Sequence, residues 1–271
     1  MGEWKPDLNP SESGETKEAS FLLRVHDILS EMHQGILKEI GGAQYENKFC
    51  WTFAGVVGAL APDSTESIKG LNKEKFIELL KQNSIKKVAE VGAGADSMIF
   101  PLRSTFKAAG CEMLGIGTDL PLWQRNDFNN AQIQIIKKEA GNLKDEKLDL
   151  DLVIAHNVFS LGGQLTAGRF GDDSKKMIQL INSAVVDVIH QLSDNPRASV
   201  VLFEGFDLMP LDKAIIAKEA NILSWEKQNT DHGWRFRAHA DDPDYADIYE
   251  PYVRDIYKQA PNFVVLQKKI Q

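Results

Sequence analysis

The segment Val88-Ala-Glu-Val-Gly-Ala-Gly-Ala-Asp96 constrains the fold of this chain more than any other. An apolar run that ends in spaced glycines reads as a buried strand delivered into a sharp turn. Glycine carries no Cβ, so the backbone there can turn tightly and come close to a ligand. Glu90 stands two residues ahead of Gly92, and Gly94 follows. A second apolar strand, Met113-Leu-Gly-Ile116, leads to Asp119. Strand, glycine turn, helix, strand and acid is the order of a nucleotide-binding half in a doubly wound α/β fold.

The rest of the chain keeps that alternating rhythm. Strands are expected at Val88–Val91, Met113–Ile116, Gln134–Ile136, Leu150–Ala155 and Ser199–Phe203. The last two are largely continuous apolar runs, as in central parallel strands covered on both faces. Asn72 is a candidate cap for a helix running through Gln82, with Phe76, Leu79 and Leu80 on its inner face. Met177, Ile181, Val185, Val188 and Leu192 recur at helical spacing, and a further helix is expected from about Leu211 to Trp225. Trp234–His239 alternates apolar and polar residues like a half-exposed strand. Phe263–Gln267 reads as a last strand, with a helical, tyrosine-bearing insertion between the two.

Ahead of this alternation the pattern differs. Residues 1–16 are polar and rich in Glu, Ser, Gly and Pro, the composition of a flexible tail. From Lys17, apolar residues follow helical spacing until Gly41-Gly42, and a second, more apolar helix is expected over Trp51–Leu60. The chain is therefore divided into a tail (1–16), an N-terminal helical extension or lid (17–70) and a ligand-binding domain (71–271).

Charge and cysteine usage narrow the function classes. The 271 residues carry a formal net charge of −8 with no basic run, which disfavours a nucleic-acid partner. Cys50 and Cys111 lie in separate apolar contexts without metal-ligand spacing, so buried reduced thiols and no metal are expected. The apolar run from Phe49 to Ala61 is too short to span a bilayer. With no leader pattern at the amino terminus, a cytoplasmic protein with no membrane partner is expected.

Taken together, these elements resemble the class I S-adenosylmethionine-dependent methyltransferases. The likeness covers residues 72–271 in element order and four short stretches in detail. Glu90-Val-Gly-Ala-Gly-Ala-Asp96 is similar to the family's acid-x-Gly-x-Gly-x-Gly loop, with Asp96 standing at the third glycine position. Thr118-Asp119-Leu120 is similar to the segment in which an acid accepts from both ribose hydroxyls and the next apolar residue lies against adenine. Lys138-Glu-Ala-Gly-Asn-Leu143 looks like the family's acid-Ala-x-x-Leu segment. The resemblance implies that Glu139 accepts from the adenine amino group and that Ala140 offers an amide to the ring. The fourth stretch, Leu148 to Phe159, is similar to the strand whose end faces the transferable methyl group, placing His156 and Asn157 at the site. The resemblance further implies a Rossmann-like seven-stranded sheet with an antiparallel last strand, and S-adenosylmethionine as cofactor.

Each residue also has a bland reading. Asp119 alone could cap a helix, Glu139 could be a solvated charge, and His156 could be a structural histidine. As candidate general bases, His156 comes first because its ordinary pKa lies near neutrality, and Glu204, at the end of the fifth strand, comes second. Asp207 and His232 are more distant candidates. The glycine-bearing stretch Gly162–Asp173 is read either as a closing loop or as a plain connection. Tyr245, Tyr249, Tyr252 and Tyr257 are read as an acceptor-pocket lining or as surface packing.

Two rival functions remain at this point. One is a methyltransferase-like module that binds without turning over. The other is an NAD(P)-dependent dehydrogenase, against which Ser97 falls at the third small position and Asp119 comes late. The P-loop and H-E-x-x-H signatures are absent, as is the Asn-Pro-Pro-Tyr segment tied to amide and base nitrogens. A small-molecule acceptor is favoured, with a protein acceptor second.

Overall fold

The computed structural model describes residues 17–32, 50–61, 69–92, 97–117, 122–159, 174–205, 208–227 and 260–269. In chain order the elements are α1 (Lys17–Met32), α2 (Cys50–Leu60), α3 (Lys73–Gln82), β1 (Lys87–Val91), α4 (Ile99–Ala109), β2 (Glu112–Ile116), α5 (Leu122–Asn130) and β3 (Ile133–Ile136). A 3-10 turn (Ala140–Asn142) follows, then β4 (Leu152–His156), α6 (Ser174–His190), β5 (Ser199–Phe203), α7 (Lys213–Glu219), β6 (Ala220–Glu226) and β7 (Phe263–Lys268).

Seven strands form one sheet in the order β3-β2-β1-β4-β5-β7-β6. Strands β1 to β5 pair in parallel, and β7 runs antiparallel to both β5 and β6. This is the Rossmann-like sheet with an antiparallel last strand expected from the sequence. Strands β4 and β5 are buried throughout, which explains their unbroken apolar runs. The strand order reverses between β1 and β4, and a crevice at such a switch point, beyond the carboxyl ends of the strands, is where open α/β sheets place ligands.

Alternation along the strands feeds two cores. Val88, Leu152, Ile154 and Val201 face a layer with Phe53, Phe76 and Phe106, while Ala89, Val153, Ala155 and Leu202 face Met177, Ile181, Val185 and Val188 of α6. In the first layer the Phe53 and Phe76 rings lie 4.8 Å apart between centroids. Helix α2 is apolar nearly all round because it is enclosed, with α1 on one side and the sheet on the other. A Cβ at Gly55 would lie 2.8 Å from Val201 Cγ1 and 3.0 Å from Phe263, so this helix needs a missing side chain to sit so near the sheet.

Several local expectations hold. Asn72 caps α3 by accepting the Lys75 amide at 2.9 Å. Cys50 and Cys111 are both buried. The Cys111 thiol donates to Ile85 O, and burial, followed by the Asp151 charge, pushes it up to about 11. Among the described residues no helix is long and apolar enough to cross a membrane.

Two expectations are corrected. The helix read over Leu211–Trp225 is a shorter helix, α7, followed at once by the strand β6. Asp212 caps α7 through the Ala214 and Ile215 amides, and the backbone turns extended at Ala220. The fourth strand begins at Leu152 rather than Leu150, because Asp149 takes a φ of +50° and Leu150 only bridges Leu192, and it continues through His156. The proposed strand Trp234–His239, the tyrosine cluster and the stretch 162–173 lie outside the described residues.

Candidate functional site

Glu90 is the penultimate residue of β1 and is buried. Its carboxylate accepts from the Ser97 hydroxyl, from the Met98 amide at 2.8 Å and from the Ile99 amide at 3.0 Å. Helix α4 has no side-chain cap of its own at Met98, so an acid from the preceding strand supplies one. A carboxylate at a helix amino end is also favoured by the helix dipole. Glu90 thus ties the two ends of the glycine segment together. Burial pushes its carboxyl up from the ordinary range, while Ser97, Ile99 and Met98 pull it back.

Gly92 begins that segment at a φ of +72°, and its amide donates to Ile116 O at 2.7 Å. A Cβ there would lie 2.4 Å from Val158 Cγ2, just beyond the end of β4. The amides of Val158 and Phe159 both donate to Glu204 Oε1, at 2.6 and 2.5 Å. Asn157 returns the link: its amide donates to Phe203 O at 2.9 Å, and its Oδ1 accepts the Gly205 amide at 2.7 Å. Asn157 holds a left-handed φ of +57°, a conformation that asparagine tolerates better than most residues. The tips of β1, β4 and β5 are therefore bound into one unit.

Beside these tips lies a cavity of about 270 Å³. Val91, Gly92, Ile116 and Gly117 form one wall, and Val158 and Phe159 form another. The turn from Lys138 to Asn142 and the apolar face of α6 (Met177, Leu180, Ile181 and Ala184) complete it. The turn is closed by the Asn142 amide on Glu139 O at 3.0 Å, and Lys138 pairs with Glu146. Glu139 sits exposed at the rim. One carboxylate, a turn of backbone and apolar walls suit a flat, amino-bearing ring, so the residues present fit an adenosyl group.

Of the residues expected at the site, Gly92, Glu139 and Ala140 line this cavity, and Glu90 stands behind it. Gly94, Asp96, Asp119 and Leu120 lie outside the described residues, as do Asp207 and His232. His156 is buried and points to the opposite face of the sheet, under α2. Its Nδ1 lies 3.0 Å from the Thr52 hydroxyl, and its ring centroid is 5.4 Å from that of Phe203. Glu204 is occupied in holding the loop after β4.

Sequence reasoning did not assign Thr52, Ser97, Val158 or the α6 wall to the site. Met177 and Ile181 carry only the signal of a core face. Ser97 has a faint signal of its own, a small hydroxyl residue at a helix start.

No protein-family model and no curated protein sequence matches the chain. Among solved structures it is similar to the plantazolicin methyltransferase BpumL, crystallised with a monoazolic desmethylPZN analog and SAH. That similarity has 11% identity over 92% of this chain and 99% of that one, with a TM-score of 0.39. It is also similar to human N-acetylserotonin methyltransferase in complex with SAM, at 11% identity over 93% and 71% and a TM-score of 0.34. TrmN from Thermus thermophilus gives 14% identity, 78% coverage of this chain and a TM-score of 0.37. This chain matches about half the length of TrmN (52%). This chain's strand order and antiparallel β7 make it a Rossmann-like fold of the seven-stranded kind that the sequence resemblance implies.

Proposed function

We propose that this chain is an S-adenosylmethionine-dependent methyltransferase acting on a small-molecule acceptor. The observation that carries the reading is Glu90. It ties the end of β1 to the start of α4 at the switch point, and Gly92, two residues after it, lines a cavity with Glu139 and Ala140. When bound, the cofactor supplies an electrophilic methyl group on a sulfonium sulfur.

The chain's residues bind and orient. Glu139 accepts from the adenine amino group, the Ala140 amide meets the ring, and Val158 and Ile181 exclude water from its faces. Asp119, two residues beyond the cavity-lining Gly117, accepts from the ribose hydroxyls, with Leu120 against the adenine. Gly94 and Asp96 are assigned to the methionine part of the cofactor. Asn157 fixes the β4 tip, and Glu204 acts through the loop it holds. His156 is the candidate base for an acceptor that must lose a proton. Helices α1 and α2, within the extension 17–70, cover the acceptor side.

Asp119→Ala tests the ribose contact. Losing hydrogen bonds to a charged acceptor costs on the order of 1.5–3 kcal/mol. Calorimetry is therefore expected to show S-adenosylhomocysteine binding roughly tenfold to a hundredfold weaker, while circular dichroism stays unchanged. Unchanged affinity in the folded variant would remove Asp119 from the site.

A further inference from the structure

Asn157, just past the end of β4, holds a φ of +57°, where glycine would sit with least strain. Its side chain crosses to the neighbouring strand, and Oδ1 accepts the Gly205 amide at 2.7 Å. A backbone N–H can bond only the oxygen of a side-chain amide, so this contact fixes how the group is turned. Nδ2 is then the other branch of the amide. Among the described residues Nδ2 has no hydrogen-bond partner, and it is not sealed from solvent. Val158 and Phe159 line the adenosyl cavity and Asn157 does not. The oriented donor thus stands on the β4–β5 side of the strand tips, next to that cavity and outside it. Aspartate would accept the Gly205 amide equally well and tolerates the same φ, so what asparagine adds here is the pair of N–H donors.

We propose that Asn157 is an acceptor-binding residue whose Nδ2 donates to a neutral carbonyl oxygen carried by the small molecule that is methylated. This rests on the methyltransferase reading, which puts the acceptor beside the cofactor cavity at the strand tips. A side-chain NH₂ has two donors and no acceptor, so it recognises a lone pair and not a hydroxyl or amine proton. The attacking atom needs its own lone pair for the methyl carbon, so the recognised oxygen is a second group on the same molecule. Glu204 narrows the charge of that group. Its carboxyl holds the Val158 and Phe159 amides, directly after Asn157, and it also precedes Gly205. A carboxylate on the acceptor would meet like charge there, and a neutral carbonyl would not. An amide, an ester or a ketone is the class that fits.

The test is proton–nitrogen NMR of the full chain, following the side-chain amide of Asn157. The probes are N,N-dimethylacetamide, which has a carbonyl oxygen and no N–H, and, separately, acetate. Each titration is run with and without saturating S-adenosylhomocysteine. Asn157→Asp identifies the signal by deleting it, and if that variant fails to fold, through-bond assignment of the single Asn-Val pair in the chain replaces it. The exposed side-chain amide of Asn130 is the internal control for non-specific response. With S-adenosylhomocysteine bound, the Asn157 amide protons are expected to move downfield and saturate with dimethylacetamide, at an apparent Kd about tenfold below that of Asn130, as one added hydrogen bond implies. A response no stronger than that of Asn130 overturns the proposal. So does acetate binding as tightly as dimethylacetamide. Calorimetry with S-adenosylhomocysteine on the same samples reports separately on the methyltransferase reading, and the titration without that ligand still reads the donor if that reading fails.

Discussion

Replacing Glu90 with alanine is expected to destabilise the chain by roughly 3–5 kcal/mol and to abolish measurable binding of S-adenosylhomocysteine. The Glu90 carboxylate serves three donors, the Ser97 hydroxyl and the Met98 and Ile99 amides, in a buried setting. Each buried donor left without a partner costs about 1–3 kcal/mol. The variant also loses a negative charge at the amino end of α4. Glu90→Gln should fall between the two, since its one oxygen can meet one amide while its NH₂ opposes the others. Urea denaturation measures both. A loss below about 1 kcal/mol for Glu90→Ala would mean that other contacts hold the turn, a smaller cost than even one orphaned buried donor.

Gly92→Ala is expected to cost about 2–5 kcal/mol, from two separable sources. A left-handed φ of +72° is strained for any residue with a Cβ, by roughly 1–2 kcal/mol. Overpacking against Val158 Cγ2 adds about 1–3 kcal/mol. Val158 has little room to yield, because valine has few rotamers and its amide is held by Glu204. Val158→Ala in the Gly92→Ala background should therefore recover part of the loss, with a coupling of about 1 kcal/mol or more. The strain from φ should persist in the double variant. Strict additivity of the two substitutions would show that the strand tips are not in contact in solution.

What the sequence reveals and conceals follows physical lines. The parallel strands β4 and β5 were legible because burial on both faces leaves largely apolar runs, β1 because it leads into spaced glycines, and α3 because Asn72 caps it as its residue type predicts. The sixth strand was hidden. Asp212-Lys-Ala-Ile-Ile-Ala-Lys-Glu219 has strong helical propensity, and a register shift between Ile222 and Ser224 breaks the alternation that would have marked β6. Glu90, Gly92, Glu139 and Ala140 were singled out through local motifs, and Gly92, Glu139 and Ala140 line one cavity. The Glu204 link to the Val158 and Phe159 amides, the approach of Val158 to Gly92 and the Thr52–His156 bond join distant segments of the chain. No local spacing encodes such pairs. Glu204 and His156 were legible as polar residues at strand ends, but their partners were not.

The central claim is that the cavity at the tips of β1, β2 and β4, with the turn after β3, binds an S-adenosyl sulfur ligand. The most direct measurement is calorimetric titration of the full chain with S-adenosylmethionine, S-adenosylhomocysteine and NAD in parallel. The account predicts saturable binding of both sulfur ligands and none of NAD. Binding of NAD with no response to either sulfur ligand would contradict it.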